Sequence, residues 1–458
     1  MTHAAVEELA ARLATRDIDV VRGEGAAPHW RALPQDAEAV GRVIQEALAV
    51  EHGPRLVPLG GGTRIAACRP DLHGPALADT LFIDMQRVTG VVEYEPGDGT
   101  LTARAGTPWR DLAEVVAEGG HDLTPDVRWK ADVGGIGSGR STLGGVLGSG
   151  ASGPDRIRHG PVRHHVLGAL VATGSGTLAR SGGRLVKNVT GFDVFRLHVG
   201  GRGTLGVLVE ASLRLVPKPE HEALLLVDGL DVHDALRRAE SVRRGAALPQ
   251  SIAVTNVLRD GHTLAVHLAG RARQVEHDMR ALIGELGARA LTGAAARAGA
   301  ADLRDTRATF AASVGLGAGD TGLALRVTSM PSAAAAVARE ALDWCASLPR
   351  TTELGPGLAV TPHVVAWPAV AALELALPAP AGTATARGLL RDLTQRLQPL
   401  RARVRALGGA PEVAHALAAL APSRDADQWE RAVSIGLDPR SIFAPRALAP
   451  AHRAGAPT

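Results

Sequence analysis

The sequence predicts an α+β protein in which two units of short strands and amphipathic helices follow one another along the chain. Three observations carry that prediction. Ser141–Pro219 has glycine at nearly every point where the backbone must turn. Strand-like runs such as VLVEASLRLV and TLAVHLAG alternate with helical-period runs such as DAEAVGRVIQEALA,. From His221 onward the composition shifts to Ala, Leu and Arg. At 458 residues, two or three lobes are expected,.

Composition removes several function classes. An apolar fraction of 45% with 21% charged residues predicts a packed globular core,. Fifty basic against 47 acidic residues, with one Tyr, leave neither a basic stripe nor stacking platforms, so no nucleic acid is expected as partner,. Cys68 and Cys345 are the two cysteines, read as free thiols,. Two thiols are too few for a chain-borne iron–sulfur cluster. The N-terminus lacks an apolar signal core and no window approaches 18 apolar residues, so the chain reads as cytoplasmic with no integral membrane segment,.

Taken in order, Val6, Leu9, Ala10 and Leu13 have helical spacing,. A second helix follows Pro34, with Val40, Val43, Ile44 and Leu48 on its apolar face,. Arg55–Leu59 reads as a strand that empties into Gly60, Gly61, Gly62 and Thr63, a candidate anion nest or an ordinary turn,. LFIDM, GVVEYE and TLTARAG read as strands of period two,. Thr107 is expected to cap a helix with Pro108 at its first position, ending at Gly119 and Gly120,. His121–Arg140 reads as an irregular loop over a ligand,. Ser141 and Thr142 start a further helix, so two glycine-backed termini could hold phosphate,. Gly174–Gly176 turn a hairpin,. Gly148, Gly150, Gly153 and Gly201, Gly203, Gly206 each satisfy G-x-G-x-x-G, but neither run leads into a helix, which argues against a nicotinamide site,.

Five segments then carry a resemblance: PLGGGTRI, STLGGVLGSGASG, RHGPVRHHVLG, VKNVTGFDVFRL and GTLGVLVEASLRLVPKP. In order and spacing they resemble the FAD-binding domain of flavoprotein oxidoreductases of the vanillyl-alcohol oxidase and p-cresol methylhydroxylase (PCMH) type. Within that family the chain is similar to the FAD-binding E subunits of bacterial glycolate oxidases. The resemblance implies FAD, held without a covalent bond. It implies that Gly60, Gly61, Gly62, Thr63 and Arg64 meet the pyrophosphate, with Ser141 and Thr142 opening the next segment. Thr142, Gly144, Gly145, Ser149, Gly150 and Gly153 would line the pyrophosphate and flavin side, and the backbone near Gly206 and Val207 the adenine edge. The chain departs from the family at His159 and His164, where Tyr and Asp are common, and at Gly200–Gly201; both histidines are expected to be solvated or core.

The resemblance also implies a cap domain of antiparallel sheet, and the order strand, helix, strand, strand, helix after His221 agrees with it,. The expected division is a helical segment over 1–30, the PCMH-type FAD-binding domain over 31–219, the cap over 220–425, a return to the FAD domain over 426–446 and a disordered tail over 447–458. Arg326 in LRVTSMPS is a candidate grip on a carboxylate or one half of an ion pair,. His363 in TPHVVAWP is a candidate base or a packed histidine,. The GH-x-GDGN-H metal motif of the glycolate oxidase D subunit is absent, so no metal is expected. The expected function is FAD-dependent oxidation of a 2-hydroxy acid such as glycolate or lactate, by hydride transfer to flavin N5. Electrons would leave through a catalytic flavoprotein or iron–sulfur partner, with peripheral attachment at the inner membrane through such partners. The alternatives are an FAD-bearing accessory subunit without substrate chemistry and a stand-alone alcohol or sugar oxidase.

Overall fold

The computed structural model describes residues 2–23, 29–63, 65, 72, 77, 79–124, 141–184, 192–256, 261–300, 323–348, 363–377, 383–408 and 432–443. Arg64, Cys68, most of the expected loop (125–140), all of VKNVTG (186–191), the end of the expected cap (409–425) and the tail therefore lie outside the described residues.

The chain opens with α1 (Thr2–Ala14), whose Val6, Leu9 and Leu13 are fully buried as their spacing predicts. The expected N-terminal helical segment is more than a helix: β1 (Asp19–Gly23) pairs antiparallel with β2 (His29–Leu33) and joins the first sheet. Next, α2 (Ala37–Ala49) begins where the Asp36 carboxylate accepts from Ala39 N at 2.6 Å, an N-cap that meets one of the helix's orphan donors,. β3 (Arg55–Leu59) and β4 (Thr80–Asp84) then pair in parallel, giving the order β1-β2-β4-β3. β4 is buried throughout rather than alternating, because a parallel pair is covered on both faces,.

The second sheet holds β5 (Val91–Glu95) and β6 (Thr100–Arg104). After it, α3 (Trp109–Glu118) starts one residue later than expected, with Pro108 as cap. The Thr107 hydroxyl instead donates to Arg104 O at 2.7 Å and accepts from Gly90 N at 2.9 Å, so it pins a turn rather than a helix. β7 (His121–Asp122), α4 (Leu143–Ser149) and the short α5 (Arg156–His159) lead to the hairpin of β8 (Val166–Ala172) and β9 (Leu178–Gly182). The one-turn α6 (Phe195–His198) precedes β10 (Val207–Arg214), and β11 (Val216–Pro217) pairs with β7. The sheet order is β5-β6-β10-β8-β9, antiparallel throughout, with β10 at the centre. The run after Gly206 is thus the strand its alternation predicts, and the nicotinamide topology is absent here. A single apolar cluster runs from Val6 through both sheets to Ile442 and Phe443. The C-terminal return is fixed by Leu56 N donating to Ile442 O at 2.8 Å, while the buried Asp438 carboxylate accepts from Phe443 N at 2.8 Å.

The second unit, the expected cap, is two copies of one pattern. β12 (His221–Leu230), α7 (Val232–Arg244), β13 (Ser251–Thr255), β14 (His262–Gly270), α8 (Ala272–Leu286) and β15 (Arg289–Thr292) form the first. β16 (Leu323–Thr328), α9 (Ala334–Ser347), β17 (His363–Trp367), β18 (Ala372–Leu377), α10 (Thr383–Leu397) and β19 (Arg403–Gly408) form the second. Each is a β-α-β-β-α-β unit. They join through β13 and β17 into one sheet, β15-β12-β14-β13-β17-β18-β16-β19, by the pairs Val254↔Ala366 and Thr255↔Val365. Helices α7 to α10 contribute buried residues to one core on one face, where Leu225, Val254, Leu325, Val327 and Leu375 also lie. Cys345 is buried there, which pushes its thiol up to about 12, as suits a free packing residue,.

Candidate functional site

Three backbone loops of the first unit meet in one cleft of about 840 Å³, counting its open mouth. One loop is the outflow of β3, Gly60 to Thr63; Gly62 has φ +76°, a conformation that side chains rarely adopt,. Another is α4 with its cap, where the Thr142 hydroxyl accepts from Gly145 N at 3.2 Å. The last runs from Gly201 to Gly206 into β10. Met85 and Ala105, with Ile65, Leu205 and Leu208, add apolar wall.

The loops approach so closely that a Cβ at Gly60 would lie 2.2 Å from Thr142 Oγ1. Thr63 and Ser141 hydroxyls, 3.3 Å apart, join the same two loops from one side. Gly206, at φ +141°, would place a Cβ 2.7 Å from Ala172 O. These glycines allow protein to meet protein. Gly148 differs: it lines the cleft, yet a Cβ there would meet no protein atom within 4 Å. The space beside it belongs to a ligand-sized cradle rather than to packing.

The two expected anion loops are unlike in their donors. Leu143 N donates to Thr107 O and Gly144 N to Ala105 O, and Gly145 N is taken by Thr142, so the first turn of α4 is spent within the chain. Among the described residues, the N–H groups of Gly61, Gly62 and Thr63 make no such bond. A nest of unspent N–H groups at a strand end suits a phosphate.

Of the expected cofactor residues, Gly60, Gly61, Gly62, Thr63, Thr142, Gly144, Gly145, Ser149 and Gly206 line the cleft. Ser141 lies behind it on Thr63, Gly150 closes α4 at φ +61°, and Val207 is fully buried in β10. Gly153 is not among the lining residues. Gly148, which sequence reading named only within a G-x-G-x-x-G run, and His198, which it passed over, also line the cleft. His198 is 7% exposed, and burial pushes its pKa down to about 4,. Only its position after Phe195, at the end of the one-turn helix, could have marked it.

The candidates in the cap stand apart from this cleft. Arg326 of β16 donates through Nε, at 3.0 Å, and Nη2 to Oε1 of Glu374, its cross-strand partner on β18. Position 363 opens β17 opposite Ala376. Facing pairs in an antiparallel sheet share a face, so positions 326, 374 and 363 lie together on the face away from the helix-packed core,. The seam between the units carries α5: Ile157 packs against the cap core and His159 Nε2 lies 3.1 Å from Gln250 Oε1. His159 is thus an interface residue whose pKa burial lowers, and His164 is exposed. Arg156 reaches solvent, yet desolvation by the surrounding seam and then the charge of Arg326 lower its pKa. Among the described residues no His, Cys, Asp and Glu cluster could hold a metal, and no helix is long and apolar enough to cross a membrane.

Comparison with known proteins agrees with the cleft. Residues 28–182 match the FAD binding domain family. Glycolate oxidase subunit GlcE of Escherichia coli is 37% identical over 148 residues, 32% of this chain and 40% of that protein. Glycolate oxidase subunit GlcD of Bacillus subtilis is 26% identical over 233 residues, 50% of this chain and 46% of that protein. D-2-hydroxyglutarate dehydrogenase of Xanthomonas citri is 35% identical over 205 residues, 44% of this chain and 40% of that protein. The chain thus spans less than half the length of these relatives. Alkyldihydroxyacetonephosphate synthase shares the fold, with TM-score 0.64 and 17% identity over 91% of this chain and 76% of that one. The glycine cradle, the unspent N–H groups and the apolar wall fit a molecule with a diphosphate and flat rings. Residues 28–182 are accordingly an FAD binding domain, and FAD is the cofactor of this chain.

Proposed function

We propose that the chain is an FAD-dependent oxidoreductase that oxidises a 2-hydroxy acid, such as glycolate or lactate, and passes the electrons to a partner protein. The observation that carries this reading is the cleft of three backbone loops within a segment similar to two glycolate oxidase subunits and a D-2-hydroxyglutarate dehydrogenase. Bound FAD supplies the two-electron acceptor that turns a CH–OH carbon into a carbonyl.

The chain's own residues bind and orient. Gly61, Gly62 and Thr63 offer N–H groups to the diphosphate, and Met85, Leu205 and Leu208 keep water from the rings. Arg326 grips the substrate carboxylate with the Nη1 edge that its pairing to Glu374 leaves open,. Arg156 adds a second positive charge at the seam. His363 takes the hydroxyl proton, being on the same sheet face as Arg326,.

A second reading, an FAD-bearing accessory subunit without substrate chemistry, is favoured by the ion pair that already answers the Arg326 charge. Turnover of glycolate, D-lactate and D-2-hydroxyglutarate with a dye acceptor separates the two. Dye reduction by the purified chain supports the first reading; flavin-loaded chain that reduces no dye with any of them supports the second.

A further inference from the structure

Among the described residues, His198 is the one ionisable side chain in the cleft wall that is more than nine-tenths buried. It ends α6 directly behind the Gly201–Gly206 loop, and its Cε1 would lie 3.5 Å from a Cβ at Gly206. Its backbone carbonyl accepts from Gly201 N and so shapes the loop, but among the described residues no hydrogen bond reaches either ring nitrogen. Around it the wall is apolar, from Leu205 and Leu208, and among the described residues Arg202 is the other ionisable side chain that lines the cleft. Its ring nitrogens are not sealed within the protein, so they are open to a ligand in the cleft,.

We propose that His198 is a cofactor-binding residue whose neutral imidazole hydrogen-bonds an uncharged heterocyclic edge of FAD. The inference rests on the FAD assignment above. With its pKa near 4, the ring is neutral at physiological pH and presents one N–H donor and one lone pair,. Either nitrogen, taken singly, can meet a donor or an acceptor on a purine or isoalloxazine edge. A diphosphate would instead favour a charged side chain, and its N–H partners stand at the Gly60–Thr63 loop,. His198 thus reads a ring while the first loop holds the phosphates.

The test measures dissociation constants of FAD, ADP and FMN for the deflavinated full chain, by fluorescence quenching, in wild type, His198→Leu and His198→Gln. His198→Leu keeps the apolar bulk and is expected to weaken FAD about tenfold. His198→Gln keeps an uncharged donor and acceptor and is expected to stay within about threefold of wild type. Weakening of ADP alone identifies the adenine edge, and weakening of FMN alone the isoalloxazine edge. Unchanged affinity in His198→Leu, equal weakening of ADP and FMN, or a Gln variant as weak as Leu overturns the proposal. A wild-type chain that binds no FAD overturns the cofactor assignment itself, a separate failure.

Discussion

The FAD unit and the cap solve different problems with different parts of the chain. In the first unit the site is made by backbone: Gly60 must lack a Cβ to meet Thr142, Gly62 and Gly206 need positive φ, and Gly148 leaves room for a ligand. In the cap the backbone is two regular β-α-β-β-α-β units, and anything chemical must come from side chains such as Arg326 on one sheet face. A backbone site tolerates few substitutions at few positions. A side-chain site on a regular sheet is defined by a single residue whose neighbours are ordinary.

The strongest test of this contrast is Gly60→Val. Its branched side chain would occupy the place of the Thr142 hydroxyl, and FAD affinity should fall about 100-fold, two tenfold steps of 1.4 kcal/mol each, with the far-UV circular dichroism unchanged. An affinity within threefold of wild type would show that the loops can part freely.

Next in size is Arg326→Ala. It is expected to lower kcat/KM for the hydroxy acid by roughly 10- to 100-fold, the worth of one charge-assisted hydrogen bond, and to leave FAD content intact. If only thermal stability falls, by about 1 kcal/mol for a partly exposed pair, Arg326 serves Glu374 alone.

A further effect lies in acid stability. Glu222 in the cap sheet is buried against His267 Nε2 at 3.1 Å, and that bond leads in holding its carboxyl down from 4.5 to about 2. A depressed folded pKa gives stability that is present above pH 4.5 and lost as pH falls toward 2, at most about 3 kcal/mol at 1.36 kcal/mol per unit. In the FAD unit His198 acts over a different window. Its folded pKa lies below the unfolded value, so the unfolded chain gains the proton first and stability falls between about pH 6.5 and 4,. Melting curves should therefore show His198→Leu flattening the upper window and Glu222→Gln the lower one. Identical profiles for both variants and wild type would contradict the assignment.

The same contrast explains what was legible beforehand. β3, α2 and the run after Gly206 followed from period and caps, and the cleft followed from glycine, because each reports local backbone demands. The spent N–H groups of α4 were invisible, since Thr107 and Ala105, which take them, lie more than 30 residues away in sequence. β1 was hidden because most of its partner, Arg31 to Leu33, lies beyond the helical segment it was assigned to. Arg326 was visible as a residue type, but its pairing with Glu374 depends on a strand register that sequence spacing does not contain. His198 was missed for the converse reason: its burial is created by two distant loops closing around an unremarkable helix end.

The most direct measurement of the central claim is the absorbance spectrum of the purified chain, loaded with FAD and titrated anaerobically with glycolate and then D-lactate. The account predicts flavin bands that bleach with one of the two acids and return on admission of an oxidant. Bands that persist unchanged at saturating concentrations of both would contradict oxidation of these acids by this chain, and failure to retain FAD at all would contradict the site.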